Sequence, residues 1–404
     1  MPYALAELEV TQPLPELQLS ATEKGIGLIV RRHDQPIGFL LRAYPPDTVL
    51  TPTKLEAWIA EALGTKLLQE NIRAELAPPT QAQSSFNLTV AICTKDRPDN
   101  LARCLKSLIP LQQTALSPFE ILVVDNAPSD ERTCDLVATL DSVRYVREPK
   151  PGLDFARNHA LQAATGEFLA FLDDDVTVDR GWYNGLVTAW TENPDAGGFT
   201  GLVLPYELAT DAQILFEQRG GFQRGFETIR YGQVLPGNPL YPCGSGIFGA
   251  GCNMAFRRSL LLEIGGFDDA LDTGAPLPGG GDLDIFYRVV RSGYPFIYEP
   301  TYLVYHQHRR ELEKLQRQYW TWGLGFMAFV VKSYQTDPTQ RHQFQRLIAW
   351  WFKNQLKEIK LCIQGKHPLP IEMLLAELWG GIVGLLGGYD RSCKRVEQIR
   401  RQYS

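Results

Sequence analysis

Between Leu88 and Asp175 the chain alternates short apolar runs with amphipathic stretches, and that rhythm restricts it to an α/β fold. Leu88–Cys93 reads as a buried strand, and Pro98–Ile109 as a helix with Leu101, Cys104, Leu105 and Leu108 on one face. Glu120–Val124, Val143–Val146 and Glu167–Leu172 are the next strands, with helices over Glu131–Leu140 and Leu153–Ala164 between them. Repeated βα units imply a mostly parallel sheet with right-handed crossovers and helices on both faces. Ligands of such sheets bind at the carboxyl ends of the strands.

Those ends are polar. Thr94, Lys95, Asp96 and Arg97 follow the first strand, Asp125 and Asn126 the second, and Asp173, Asp174 and Asp175 the fourth. Adjacent carboxylates ionise together cheaply only beside a cation. Oxygen ligands suit Mg²⁺ or Mn²⁺, which in turn holds a diphosphate. An isolated Asp triplet is more simply a solvated turn or a helix cap, but directly after the buried Phe171-Leu172 the metal reading is the better one. A second acidic stretch, Gly279 to Arg288, puts Asp282 in the first turn of a helix whose buried face is Ile285, Phe286, Val289 and Val290. There Asp282 reads as an N-cap or, next to the glycine-rich loop from Gly274, as a general base for an incoming hydroxyl. Asp284 and Arg288 are spaced as a structural ion pair. His306, just past the apparent strand Tyr302–Tyr305, is a packing residue taken alone and a metal ligand beside Asp175 taken with the rest.

The rest of the chain divides around this core. Residues 1–76 are expected to form a small α+β accessory domain, with strands at Gly25–Arg31 and Ile37–Ala43 and a helix near Thr53–Leu63. Residues 77–86, with Pro78 and Pro79, read as a linker, 87–325 as the catalytic domain and 326–404 as a helical extension. Net charge is -6, which argues against nucleic acid as partner. Residues 341–404 nonetheless hold eleven Lys/Arg against five acids, interleaved with Trp350, Trp351, Phe352 and Leu356. That pattern suits peripheral contact with an anionic membrane as well as ordinary packing. The seven cysteines are scattered and never spaced C-x-x-C, so neither a disulfide framework nor a zinc site is expected. With no secretory signal and no apolar run long enough to span a bilayer, a cytoplasmic location is the expectation.

Four segments together resemble family 2 of the glycosyltransferases: Leu88-Thr-Val-Ala-Ile-Cys-Thr-Lys-Asp-Arg-Pro98, Val123-Val-Asp-Asn126, Phe171-Leu-Asp-Asp-Asp175 and Gly280-Gly-Asp-Leu-Asp284. The resemblance covers roughly Leu88 to Gly325 and implies a GT-A fold, a nucleotide-sugar donor, a divalent metal (Mn²⁺ or Mg²⁺) and inverting transfer in polysaccharide or glycoconjugate synthesis. By that resemblance Thr94, Arg97 and Asp125 line the nucleotide base, with Gly152 and Arg157 on the donor side. Asp173, Asp174 and Asp175 match the D-x-D motif, Asp175 and His306 as metal ligands, and Asp282 matches the catalytic base. Asn253, Gly280 and Gly281 fall on the acceptor side. UDP is the nucleotide it favours, and a saccharide or lipid-linked molecule the acceptor. Two positions depart: Gly281 stands where the family keeps an acid, and Tyr319 where processive members keep Arg in Gln-x-x-Arg-Trp, so one or a few additions are expected.

Rival chemistries lack their signatures. No Gly-x-Gly-x-x-Gly, Walker loop or glycine-rich basic phosphate loop follows the first strand, which disfavours oxidoreductase, NTPase and nucleotidyltransferase. The remaining alternative is a non-catalytic nucleotide-sugar-binding or scaffold protein of the same fold.

Overall fold

The computed structural model describes residues 2–76, 87–115 and 117–403; the linker expected at 77–86 lies outside them. The N-terminal unit is a three-stranded sheet of β1 (Ala4–Glu9), β3 (Gly25–Arg32) and β4 (Gln35–Ala43), with a short pair β2 (Leu17–Gln18) and β5 (Val49–Leu50). Leu55, Trp58 and Ile59 of α1 (Pro52–Leu76) pack on its apolar face, and the helix runs further than its sequence pattern predicts.

The central sheet begins with β6 (Leu88–Thr94), β7 (Glu120–Asn126), β8 (Val143–Glu148) and β9 (Phe168–Asp173), all paired in parallel. Side chains alternate between faces as the pleat requires. Val90, Ile92, Ile121 and Val123 meet α2 (Pro98–Thr114) in one core. Ala91, Leu122 and Val124 meet α4 (Leu153–Ala163) in the other. Helix α2 continues past Ile109 to Thr114 with Pro110 on its exposed side, where the missing N–H leaves one carbonyl of the preceding turn without an intrahelical donor. The remaining helix of this half is α3 (Arg132–Ala138).

Beyond β9 the sheet becomes mixed. Strands β10 (Val176–Val178), β11 (Gly198–Pro205), β12 (Ile229–Tyr231), β13 (Asn253–Arg257) and β14 (Phe296–His306) complete the order β10-β14-β11-β13-β9-β6-β7-β8, with β12 on β14. The antiparallel pairs β13 on β9 and β10 on β14 position the site, because they lay distant residues against the end of β9. Helices α5 (Trp182–Glu192), α6 (Asp211–Gln218), α7 (Arg258–Glu263) and α8 (Gly281–Arg291) fill the connections.

The C-terminal helices are α9 (Leu312–Thr336), α10 (Arg341–Ile363), α11 (Ile371–Leu385) and α12 (Gly388–Gln402). A boundary at 325/326 does not hold: α9 is continuous across it and joins α6 through Phe216, Leu315 and Tyr319. Among the described residues no single helix is long and apolar enough to cross a membrane, although α11 and α12, bent by 65°, reach that length and composition together. The N-terminal unit docks on the central sheet through Arg31, only 1% exposed. Its guanidinium meets Asp179 after β10, Glu7 on β1 and the hydroxyl of Tyr305 on β14.

Candidate active site

The Asp triplet closes the end of β9 and enters β10, whose Val176 is paired with His306 at the end of β14. Gln307 N donates to Asp175 O at 3.0 Å, which fixes that crossing. His306 Nε2 then lies 3.3 Å from Asp175 Oδ1. The other oxygen of Asp175 pairs with Arg97 at 2.9 Å, and Arg309 stands 3.8 Å away. Asp174 accepts from Thr94 Oγ1 at 2.7 Å and pairs with the same Arg97 at 2.7 Å. Thr94 and Arg97, expected on the nucleotide base, thus have their side chains on the Asp triplet. Burial raises the carboxyl of Asp173 to about 6 and that of Asp174 to about 7. Asp175 is lowered: its burial is outweighed by His306, Arg97 and Arg309. Burial brings His306 down to about 4, so its imidazole is neutral.

Asp125, wholly buried, accepts from Tyr145 at 2.9 Å through Oδ2, while Oδ1 has no hydrogen-bond partner in the protein. A buried bare acceptor is costly unless a ligand donates to it, which fits a ring N–H. Asn126 ties β7 to the next turn, donating to Lys150 O at 2.7 Å and accepting from Gly152 N at 3.0 Å. Gly152, at φ 141°, starts α4 and aims Asp154 and Arg157 at the site.

Asp282 lies in the first turn of α8, where Gly280 rather than Asp282 is the N-cap. Its carboxylate accepts from Leu283 N at 2.9 Å and from Gly251 N at 3.2 Å. A Cβ on Gly251 would fall 2.9 Å from the Cβ of Asp282, so this amide reaches the carboxylate only because residue 251 has no side chain. Behind it Arg157 bonds Asp154 at 3.0 Å and Asp272 at 3.5 Å, and Asp272 accepts from Gly281 N at 3.2 Å. Asp154 sits where a side chain on Gly281 would go, 2.9 Å from that absent Cβ to its Cγ. A carboxylate from α4 therefore occupies the space beside the helix start that an acid at 281 would fill. Burial and the neighbouring Asp282 raise Asp272 to about 6, against the pull of Arg157. Asp284 makes the expected ion pair with Arg288 at 2.7 Å and a further one with Lys332 at 2.6 Å.

A cavity of about 800 Å³ joins these groups. Its lining includes Arg157, Asp173, Asp272, Asp282 and His306, the exposed Arg309, Lys314 and Arg317, and Trp322, Phe326, Trp351 and Glu377 of the C-terminal helices. Gly280 also lines it, held at φ 108° against Gly325 of α9. Asn253, expected on the acceptor side, is a core brace instead. It accepts from Trp182 Nε1 at 3.0 Å and donates to Tyr302 O at 2.7 Å, and its complete burial closes it to a ligand. The aromatic lining, Asp154 and Asp272 were missed by sequence reasoning. Asp154 lies between Gly152 and Arg157, which the resemblance singled out, whereas the tryptophans come from helices whose docking no local pattern reveals. Tyr319, at the departure from Gln-x-x-Arg-Trp, is buried against Trp322, and the cavity arginine of that segment is Arg317.

Among the described residues no three His, Cys, Asp or Glu side chains stand ready to hold a metal by themselves. Two acceptors face each other, however. Asp175 Oδ1 has no hydrogen-bond donor, and the neutral His306 is opposite it. A divalent cation held here would have Asp175 Oδ1 and His306 Nε2 as ligands, an oxygen and an imidazole nitrogen of the kind Mg²⁺ and Mn²⁺ accept.

Residues 89–265 match the sequence profile of Glycosyl transferase family 2. The pre-mycofactocin glycosyltransferase of Mycobacterium tuberculosis is 28% identical over 237 residues, 58% of this chain and 45% of that protein. The glucosyl-dolichyl phosphate glucuronosyltransferase of Haloferax volcanii is 26% identical, over 45% of this chain and 56% of its own. The succinoglycan biosynthesis protein ExoM of Rhizobium meliloti is 29% identical, over 48% and 63%. The chain spans about half the length of the curated relatives it matches. A mannosyltransferase of Pyrobaculum calidifontis, solved with GDP-Man and Mn²⁺, aligns over 84% of this chain and 96% of its own at 17% identity and a TM-score of 0.47, too loose a likeness to argue from. The likeness to glycosyl transferase family 2 lies in the segment 89–265, whose strand ends carry the acids described above.

Proposed function

We propose that this protein moves a sugar from a nucleotide-sugar to a hydroxyl of an acceptor bound in the cavity, with inversion at the anomeric carbon. One observation carries the reading: Asp282, poised on the Gly251 amide, and the Asp173/His306 end of the Asp triplet open into the same cavity. Asp282 takes the proton of the acceptor hydroxyl. The oxygen bonds to the anomeric carbon as the carbon–oxygen bond to the diphosphate breaks, its electron pair leaving with the nucleotide. Asp175 and His306 would hold the divalent metal, which supplies charge neutralisation at the diphosphate when bound. Arg309, Lys314 and Arg317 add fixed positive charge to the cavity lining. Trp322 offers an apolar face for a sugar ring of the acceptor.

The acceptor is lipid-linked in this proposal, and the protein works at a membrane surface. Trp350 and Leu356 on α10, Trp379 within α11 and Leu386 at its end are at least half exposed, with Lys353, Lys357 and Lys360 also exposed on α10. Apolar side chains among lysines suit an anionic bilayer. UDP remains the first nucleotide to try. The test is release of nucleoside diphosphate from a panel of nucleotide-sugars with Mn²⁺, for wild type and Asp282→Asn. Turnover that drops at least 100-fold in D282N with donor binding intact supports the reading. Undiminished turnover in D282N, or none in the wild type with any donor, sinks it. Failure to pellet with anionic liposomes at low salt removes the membrane part alone.

A further inference from the structure

We propose that Glu217 and His308 form a hydrogen-bond relay that holds His306 in its Nδ1–H tautomer and so presents the Nε2 lone pair, opposite the bare Oδ1 of Asp175, to a divalent cation. The proposal rests on the metal-dependent reading of the site. The relay crosses three elements. Glu217 in α6 meets His308 Nε2 at 2.7 Å, His308 Nδ1 meets His306 Nδ1 at 2.9 Å, and His306 Nε2 faces Asp175 at 3.3 Å.

With Glu217 a carboxylate and His308 carrying a single proton, as the proposal has them, the direction of every proton follows. A carboxylate only accepts, so the proton between Glu217 and His308 sits on His308 Nε2. A neutral imidazole carries one proton, so His308 Nδ1 is an acceptor. The 2.9 Å contact between the two Nδ1 atoms then needs its proton on His306. That leaves His306 Nε2 unprotonated. Its lone pair points at a carboxylate oxygen with no donor, an arrangement that repels unless a cation lies between. An imidazole ligand whose other nitrogen is fixed by a hydrogen bond is the general pattern of metal-bound histidine.

The surroundings hold the relay still and dry. His306, His308 and Glu217 are each less than a tenth exposed. Phe222 lies against both rings, at 5.2 and 5.8 Å, and Phe216 against His308 at 4.6 Å. The loop after α6 wraps the carboxylate: Gly221, at φ 55°, leaves only 2.6 Å between a notional Cβ and Glu217 Oε1. Phe222 and Gly221 also line the cavity, so the relay forms its wall. Glu217 and His308 are positioning residues and do not touch the reacting atoms.

The test uses the full chain labelled with ¹⁵N-histidine, in three forms: wild type, E217Q, and the double variant E217M/H308F. The double variant replaces the relay by apolar groups of similar bulk and leaves no buried charge without its partner. Nitrogen-proton correlation spectra read the tautomer of His306, and electron paramagnetic resonance titration reads the affinity for Mn²⁺ alone. The expected result is a proton on Nδ1 in wild type and in E217Q, whose amide oxygen still accepts. In E217M/H308F that proton moves to Nε2 or exchanges between the two, and Mn²⁺ affinity falls about 10- to 100-fold. A proton on Nε2 in the wild type, or equal Mn²⁺ affinity in wild type and double variant, would overturn the relay alone. A wild type that takes up no Mn²⁺ would overturn the metal-dependent reading together with it.

Discussion

Gly281→Ala is the smallest change that tests how the two sides of the site fit. A methyl group there falls on Asp154 Oδ2 and 2.9 Å from its Cγ. Asp154 cannot yield easily, since it is fully buried and bonded to Arg157 at 3.0 Å. Forcing a methyl into such a space costs about 1–3 kcal/mol. Replacing glycine by alanine in a helix otherwise gains roughly 0.4–1 kcal/mol through the unfolded chain. The net expectation is a loss of about 1–2 kcal/mol in the wild-type background. With Asp154→Ala the obstruction is gone, and the same methyl becomes neutral or mildly stabilising. Urea unfolding of the four proteins in this cycle gives the coupling, expected at about 1–3 kcal/mol. A penalty for G281A that is equal in both backgrounds, within about 0.5 kcal/mol, refutes the fit of Asp154 into the space at 281.

Gly251→Ala brings a methyl against Asp282, so kcat should fall about 10- to 100-fold while donor binding changes little; a pure loss of donor affinity would contradict the placement of Asp282. Arg31→Met leaves Asp179 buried without its guanidinium and should lower unfolding stability by about 3–5 kcal/mol, whereas a shift under 1 kcal/mol would mean that the N-terminal unit docks by other contacts. Burial raises Glu377 to about 7, against the pull of Arg219 and Gln355. The folded state therefore holds that proton longer than the unfolded state, and stability from this group is lost as pH rises from about 4.5 to about 7. E377Q should accordingly match wild type near pH 4.5 and exceed it progressively up to pH 8, as read by urea midpoints; parallel curves would show that Glu377 is ionised in both states.

What the sequence disclosed depended on range. The strands from Leu88 to Asp173 were legible because each carries its own apolar run, and their polar ends follow from where the runs stop. Asp282 and His306 were legible as candidates because each adjoins a regular element. Their neighbours were not. Glu217 enters through a loop and helix with no local sign of chemistry, and Arg31 reads as the end of an ordinary strand until the fold lays it on Asp179. Asn253 misled for the opposite reason: it stands in a suggestive segment, and only the antiparallel pairing of β13 with β9 turns its amide into the core. The cavity wall from Trp322 and Trp351 depends on how α9, α10 and α11 dock, which amphipathic patterning alone leaves open.

The central claim is a nucleotide-sugar held at the Asp175/His306 end of the cavity by way of a metal. Isothermal titration of nucleotide-sugars into wild type and Asp175→Ala, each with Mn²⁺ and with chelator, tests it most directly. The account predicts binding of at least one nucleotide-sugar that requires both Mn²⁺ and Asp175. Binding that is equally tight with chelator, or unaffected by D175A, would contradict it.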